Sequence, residues 1–137
     1  MQRAARATGV VLFLLGIAGF IPLMTTDSHL LSFAGHRSQA ALLGVFQVSA
    51  LHNVVHLVLG VAAVVMSRAF SAAKAFLLGG GVTLLVLFLY GLLIDRGTAM
   101  NFLPVNSAGN WLHFGLGIAM VCLGAFLGRH PYAKDRR

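Results

Sequence analysis

Two histidines lie in the same short pattern at two places in the chain. Residues 53–60 and 110–117 both read Asn-x-x-His-x-x-x-Gly, and the two copies are 57 residues apart. Each copy lies inside a long apolar run, where an ionisable side chain is costly and is usually paired or used. His56 and His113 are therefore the first candidates for chemistry, with Asn53 and Asn110 beside them.

A third histidine extends the polar face of the first copy. His52 precedes His56 by four residues, so both rings lie on one side of a helix. Two such imidazoles can chelate one ion and His113 could supply a third, a set suited to Zn or Cu. Alternatively, His56 and His113 could be the axial ligands of a b-type haem. Asn53 and Asn110 could then hydrogen-bond the ligands from outside.

Two further explanations of these residues need no cofactor. In the leading one, the Asn and His side chains hydrogen-bond across the helices and fix their register, each bond contributing about 0.6 kcal/mol on average in membranes. In the other, the histidines line a path for a proton or a small solute, as chains of His and acidic groups do. No Asp or Glu lies within a predicted span, so a proton-coupled carrier would lack its usual partner.

The sequence contains none of the common catalytic signatures. It has no nucleophile elbow, phosphate loop, Cys-x-x-Cys or His-Glu-x-x-His motif, and it has no glutamate. Acid–base chemistry within the apolar runs is therefore poorly supplied, and we expect no enzyme. Cys122 is the single cysteine, so no intramolecular disulfide can form.

The composition indicates an integral membrane protein. Of 137 residues, 58% are hydrophobic and 9% charged, whereas a soluble domain carries about 25% charged residues. The net charge is +7, but Lys and Arg lie in the tails and short loops, as membrane topology requires. The lipid bilayer is thus the expected partner, and nucleic acid is not.

Windows without Asp, Glu, Lys or Arg define the expected helices, since a span needs about 20 mostly apolar residues. These windows cover residues 7–26, 38–67, 75–94 and 97–128. We predict an all-α, four-helix membrane bundle in a single domain, residues 1–137, with a basic cytoplasmic tail over 129–137. The helices are expected near 7–24, 40–66, 75–94 and 107–128.

Charge placement predicts the orientation. With the N-terminus inside, eight of the ten Lys and Arg residues fall on the inner side and two, Arg37 and Arg96, fall outside. This asymmetry favours both termini in the cytoplasm. The His and Asn residues then belong to the outer half of the bundle.

The similarity between the two halves extends beyond the histidine pattern. Gly9 and Gly19 align with Gly81 and Gly91 at an offset of 72 residues, so two helical hairpins could be related by an internal repeat. The repeat sets His113 level with His56, whereas counting from the basic anchors sets it level with His52. Glycine faces of this kind allow close helix packing and could also support a homo-oligomer.

Four stretches together resemble a known family. They are Gly-Ile-Ala-Gly-Phe-Ile-Pro at 16–22, His-Asn-Val-Val-His-Leu-Val-Leu-Gly at 52–60, Pro-Val-Asn at 104–106 and Trp-Leu-His-Phe-Gly-Leu-Gly at 111–117. From about residue 7 to 128 the chain resembles the small bacterial four-helix membrane proteins of domain-of-unknown-function family 4383. The resemblance implies a multi-pass protein of the bacterial inner membrane and brings no activity, substrate or site residue. We therefore expect a non-enzymatic structural or interaction protein, acting with a second copy or another membrane protein.

Overall fold

Four helices dominate the computed structural model, which describes residues 1–129. They are α1 (Gln2–Ala18), α2 (Ala50–Met66), α3 (Phe70–Leu93) and α4 (Ser107–Phe126), with short 3-10 turns at Ser28–Leu30 and Leu127–Arg129. The helices form two packed pairs, α1 with α2 and α3 with α4. Most of the predicted basic tail, from residue 130 onward, lies outside the described residues.

A small antiparallel sheet corrects the all-α expectation. Its strands are β1 (Thr25–Thr26), β2 (Ala41–Leu42) and β3 (Phe46–Gln47), paired in that order. The helix predicted from residue 40 begins only at Ala50, because residues 41–47 form a hairpin. Leu43 and Gly44 turn that hairpin with φ of 53° and 68°, the left-handed values that a tight hairpin turn requires.

The predicted helix ends also shift in the first and third helices. α1 occupies Gln2–Ala18 rather than 7–24, since the chain turns after Gly19 and Pro22 cannot continue the helical hydrogen bonds. α3 starts at Phe70 rather than 75, because a charged residue such as Lys74 marks the edge of an apolar span without ending a helix. α4 begins at Ser107, as predicted, and passes into a 3-10 turn after Phe126.

The two ends of the bundle differ in character. One end, which we call the basic end, carries the N-terminus and Arg68. There the side chain of Gln2 donates to the Arg68 carbonyl at 2.8 Å and Arg6 Nε donates to Ser67 Oγ at 3.4 Å. The N-terminus therefore lies beside the short α2–α3 connection. The opposite end, which we call the loop end, carries the longer connections 19–49 and 94–106 and the N-termini of α2 and α4.

Glycines set the distance between the helices of each pair. A Cβ built on Gly60 would lie 2.7 Å from the Phe13 nitrogen and 2.8 Å from the Gly9 oxygen. In the second pair, a Cβ on Gly117 would lie 3.0 Å from the Gly81 oxygen. Both crossings thus bring backbone against backbone, which only a residue without a side chain permits.

Candidate functional site

The three predicted histidines come together at the loop end. The rings of His52 and His56, one turn apart on α2, have centroids 4.6 Å apart. The ring of His113, from α4, lies 6.2 Å from that of His52. His52 is therefore the central ring of the cluster, with the other two rings on either side within 6.2 Å of it.

The cluster is largely withdrawn from the surface. His113 is 7% exposed, and among residues 1–129 the Nδ1 atoms of His52 and His113 are buried without a hydrogen-bond partner. The His52 ring also interacts with the backbone of Pro104, in the connection between α3 and α4. One ring thus lies beside this connection, while the two Nδ1 atoms have no hydrogen-bond partner in the described part of the chain.

The two motif asparagines face their own hairpins. Asn53 is 0% exposed and its carboxamide lies against Gly19 of the first pair. Asn110 lies against Gly91 of the second pair, and its Nδ2 donates to the Phe88 carbonyl at 3.1 Å. The structure therefore brings the histidines together between α2 and α4, and it places each asparagine against a helix of its own pair.

Unpartnered buried polar atoms are concentrated in this site. Within the described part of the chain they are Nδ1 of His52, Oδ1 and Nδ2 of Asn53, Oδ1 of Asn110 and Nδ1 of His113. Each such atom costs roughly 1–3 kcal/mol if nothing pairs with it, and native proteins contain few of them. All of these atoms belong to the duplicated motif or to the adjacent His52, which marks this region as the candidate functional site.

The two long connections are bonded to each other over the loop end. Asn106 Nδ2 donates to the Val45 carbonyl at 2.7 Å, and the Gly35 nitrogen donates to the Phe102 carbonyl at 2.7 Å. Pro104 is fully buried beneath these contacts. Residues that are far apart in sequence are therefore joined at the loop end, where the histidine cluster lies.

Two supporting residues cannot be identified from the sequence alone. Asn101 is 1% exposed, and its Oδ1 accepts from the Val105 nitrogen at 2.9 Å, which holds the loop around Pro104. Arg96, expected only as an outer charge, donates to the Gly91 carbonyl at 2.9 Å and to Ser107 Oγ at 2.7 Å. Neither residue belongs to a spacing pattern, so no sequence signal could have revealed them.

In the present arrangement, the described residues contain no group of three or more His, Cys, Asp or Glu side chains placed to hold a metal ion. Two further histidines, His29 and His36, lie in the first connection. Within residues 1–129 they make no ring contact with the cluster. His52, His56 and His113 are therefore the residues from which any metal or cofactor site here would have to be built.

Residues 2–126 match a family described as a domain of unknown function, DUF4383. The chain belongs to the DUF4383 family. The match covers all four helices and both copies of the motif, and it confirms the resemblance seen in the sequence. No curated protein and no solved structure matches this DUF4383 chain at a significant level. The family brings no activity with it, so function has to be argued from the site and the surface.

Proposed function

We propose that this DUF4383 chain is a non-enzymatic, four-helix protein of the bacterial inner membrane, which acts through contacts with a partner in the bilayer. The observation that carries the proposal is the distribution of residue sizes and polarities. Many large apolar side chains on the helices point outward, whereas Asn53, Asn110 and His113 are buried and glycines line the helix contacts. A water-soluble bundle has the reverse distribution.

Exposed apolar side chains recur every three or four residues along the helices. Val58 is 61% exposed and Leu93 is 85% exposed. The stripe on α2 consists of Val54, Val58, Val61 and Val65, and that on α3 of Val82, Val86, Leu89 and Leu93. Lipid accepts such faces, and small residues then line the contacts between helices. Both features support a membrane environment.

Helix length supports the same environment more strongly for the second pair. α3 and α4, with 24 and 20 residues, are long and apolar enough to cross a membrane. α1 and α2 have 17 residues each, or about 25 Å at the usual helical rise, slightly less than the roughly 30 Å hydrocarbon core. We propose that both cross nonetheless, with local thinning of the bilayer compensating for the difference.

We also propose that the two pairs are copies of one unit. The N-caps of α2 and α4 are Ser49 and Asn106. Each side chain accepts a hydrogen bond from the backbone nitrogen three residues later. The two caps are 57 residues apart, as are the two copies of the motif. The contact of Asn53 with Gly19 corresponds to that of Asn110 with Gly91. The asparagines are 57 residues apart and the glycines 72, which are the two offsets of the sequence repeat. This correspondence supports a repeat about an axis along the membrane normal.

The partner we propose is a second copy of the chain or another membrane helix. Gly79 and Gly115 support this part of the proposal, because a Cβ on either would meet nothing within 4 Å. Open glycines of this kind let a neighbouring helix approach closely.

Cysteine labelling tests the membrane topology. Ala99 and Ala69 are both exposed, at the loop end and the basic end respectively, so Ala99→Cys and Ala69→Cys form a matched pair in a Cys122→Ser background. With a membrane-impermeant maleimide on intact cells, we expect labelling at 99 at once and at 69 only after permeabilisation. Equal labelling at both positions in intact cells, or recovery of the protein in the soluble fraction, would contradict the proposal.

A further inference from the structure

We propose that His52, His56 and His113 bind one divalent transition-metal ion at the loop end, with Zn²⁺ as the test ion. This inference concerns a ligand that the proposed function does not require. It also does not depend on the membrane topology, which the labelling experiment tests separately.

Ring spacing is the first argument. Two imidazoles on one tetrahedral zinc, each with a Zn–N distance of about 2.0–2.1 Å, have ring centroids roughly 5 Å apart. The centroids of His52 and His56 are 4.6 Å apart and those of His52 and His113 are 6.2 Å apart. The first pair of rings is thus already at the spacing that a shared ion needs, and the second pair is about 1 Å wider.

The free nitrogens are the second argument. Nδ1 of His52 and Nδ1 of His113 are buried and have no partner among the described residues. A metal ion would accept both lone pairs and remove the cost of leaving these atoms unpaired. The nitrogens do not converge on one point in the present arrangement, so binding requires the rings to turn about the broad sp³–sp² torsion.

The buried backbone beside His52 is the third argument. A histidine that binds a metal usually directs its other nitrogen to a carboxylate or a backbone carbonyl, which fixes the ring and its tautomer. The His52 ring lies near the backbone of Pro104, which is fully buried in the connection between α3 and α4. The central ring of the cluster is therefore near a buried backbone segment, from which such support would come.

The donor set also limits which ion would bind. Imidazole nitrogen suits Zn²⁺, Cu²⁺ and Ni²⁺, whereas Mg²⁺ and Ca²⁺ prefer oxygen. Three neutral imidazoles leave a fourth position open to water, as in zinc sites with three protein ligands. The asparagines do not contribute, because their carboxamides face Gly19 and Gly91.

The experiment uses the full chain, purified in mild detergent without a polyhistidine tag and stripped of metal. Zn²⁺ is titrated by calorimetry and Co²⁺ by its visible absorption. We expect one ion per chain and the absorption bands of a tetrahedral, nitrogen-ligated Co²⁺. His52→Ala and His113→Ala should weaken binding about tenfold or more, since even outer groups of a metal site matter to that extent. His29→Ala, in the loop, is the matched control and should bind as the wild type does.

Thermal unfolding without metal shows whether each variant folds. For folded protein, Zn²⁺ should raise the Tm of the wild type and of His29→Ala, and leave that of His52→Ala unchanged. If the variants do not fold, the wild-type Co²⁺ spectrum decides alone. The proposal is overturned by substoichiometric binding, by a spectrum without tetrahedral bands, or by full binding in a folded His52→Ala/His113→Ala double variant. Buried water would then be the partner of these nitrogens.

Discussion

The carboxamide of Asn53 occupies the space that a side chain on Gly19 would need. A Cβ at position 19 would overlap the Oδ1 atom of Asn53, although the two residues lie on different sides of a connection of some thirty residues. Asn110 and Gly91 stand in the same relation in the second pair. Each pair therefore holds a polar side chain against a neighbouring helix end at which only glycine fits.

This relation predicts a strong interaction between the two positions. Gly19→Ala should lower the free energy of unfolding by about 1–3 kcal/mol, as overpacking usually does. Asn53→Ala removes the group with which the new methyl collides, so the double variant should recover much of that loss. A double-mutant cycle, measured by unfolding in detergent, gives the coupling. If the two changes in the free energy of unfolding simply add, the close approach of Asn53 to Gly19 does not affect stability.

The glycines of α4 predict opposite responses to the same substitution. At Gly117 a Cβ would lie 2.9 Å from Leu85 Cγ and 3.0 Å from the Gly81 oxygen, whereas at Gly115 it would meet nothing within 4 Å. Gly117→Ala should therefore destabilise the protein by about 1–3 kcal/mol. In the monomer, Gly115→Ala should be neutral or slightly stabilising, since alanine favours a helix.

Thermal unfolding of the two alanine variants in the same detergent measures this difference. A loss of stability at position 115 equal to that at 117 would contradict the tight crossing of α3 and α4. A loss at position 115 only in the oligomer would instead indicate that a partner helix packs there.

Asn106 has two separable roles. Its Oδ1 accepts from the Gly109 nitrogen at 2.9 Å and so caps α4, while its Nδ2 donates to the Val45 carbonyl at 2.7 Å. Asn106→Ala should lose the cap, at a cost of about 1 kcal/mol, and the bond to the hairpin as well. Asn106→Asp keeps a capping oxygen and loses only the donor.

Hydrogen exchange distinguishes these two roles. We expect faster exchange in the hairpin of residues 41–47 in both variants, and faster exchange in the first turn of α4 only in Asn106→Ala. Unchanged exchange in the hairpin of Asn106→Asp would mean that the loops are held together by other contacts.

The sequence predicts the bundle better than its connections. Charge-free windows locate all four helices, because helical periodicity and apolar length are properties of local sequence. The duplicated motif and the adjacent His52 place the three histidines at one end. Residues 41–47 are as apolar as the helix that follows them, so the window cannot separate hairpin from helix. The turn depends on Leu43 with a positive φ, which no rule for leucine would predict.

The direction of the asparagines shows a second limit. Spacing on a helix tells which residues share a face, and hydrogen bonds of Asn53 across the helices would require it to point the same way as His52 and His56. In the structure Asn53 points to α1, one position around the helix from His52. A single residue step turns a side chain by about 100°, so neighbours in the motif reach different helices.

The three-residue connection between α2 and α3 has a consequence for biosynthesis. Each helix packs chiefly on the helix next to it in the chain, so the contacts of α1 with α2 can be complete before α3 has been translated. In the bilayer proposed above, the chain is then expected to insert as two successive hairpins, each held by contacts between helices that are consecutive in the chain. Residues 101–106 can reach the earlier connection only when they emerge, and His113 follows them on α4, so the histidine cluster is completed only with the second pair.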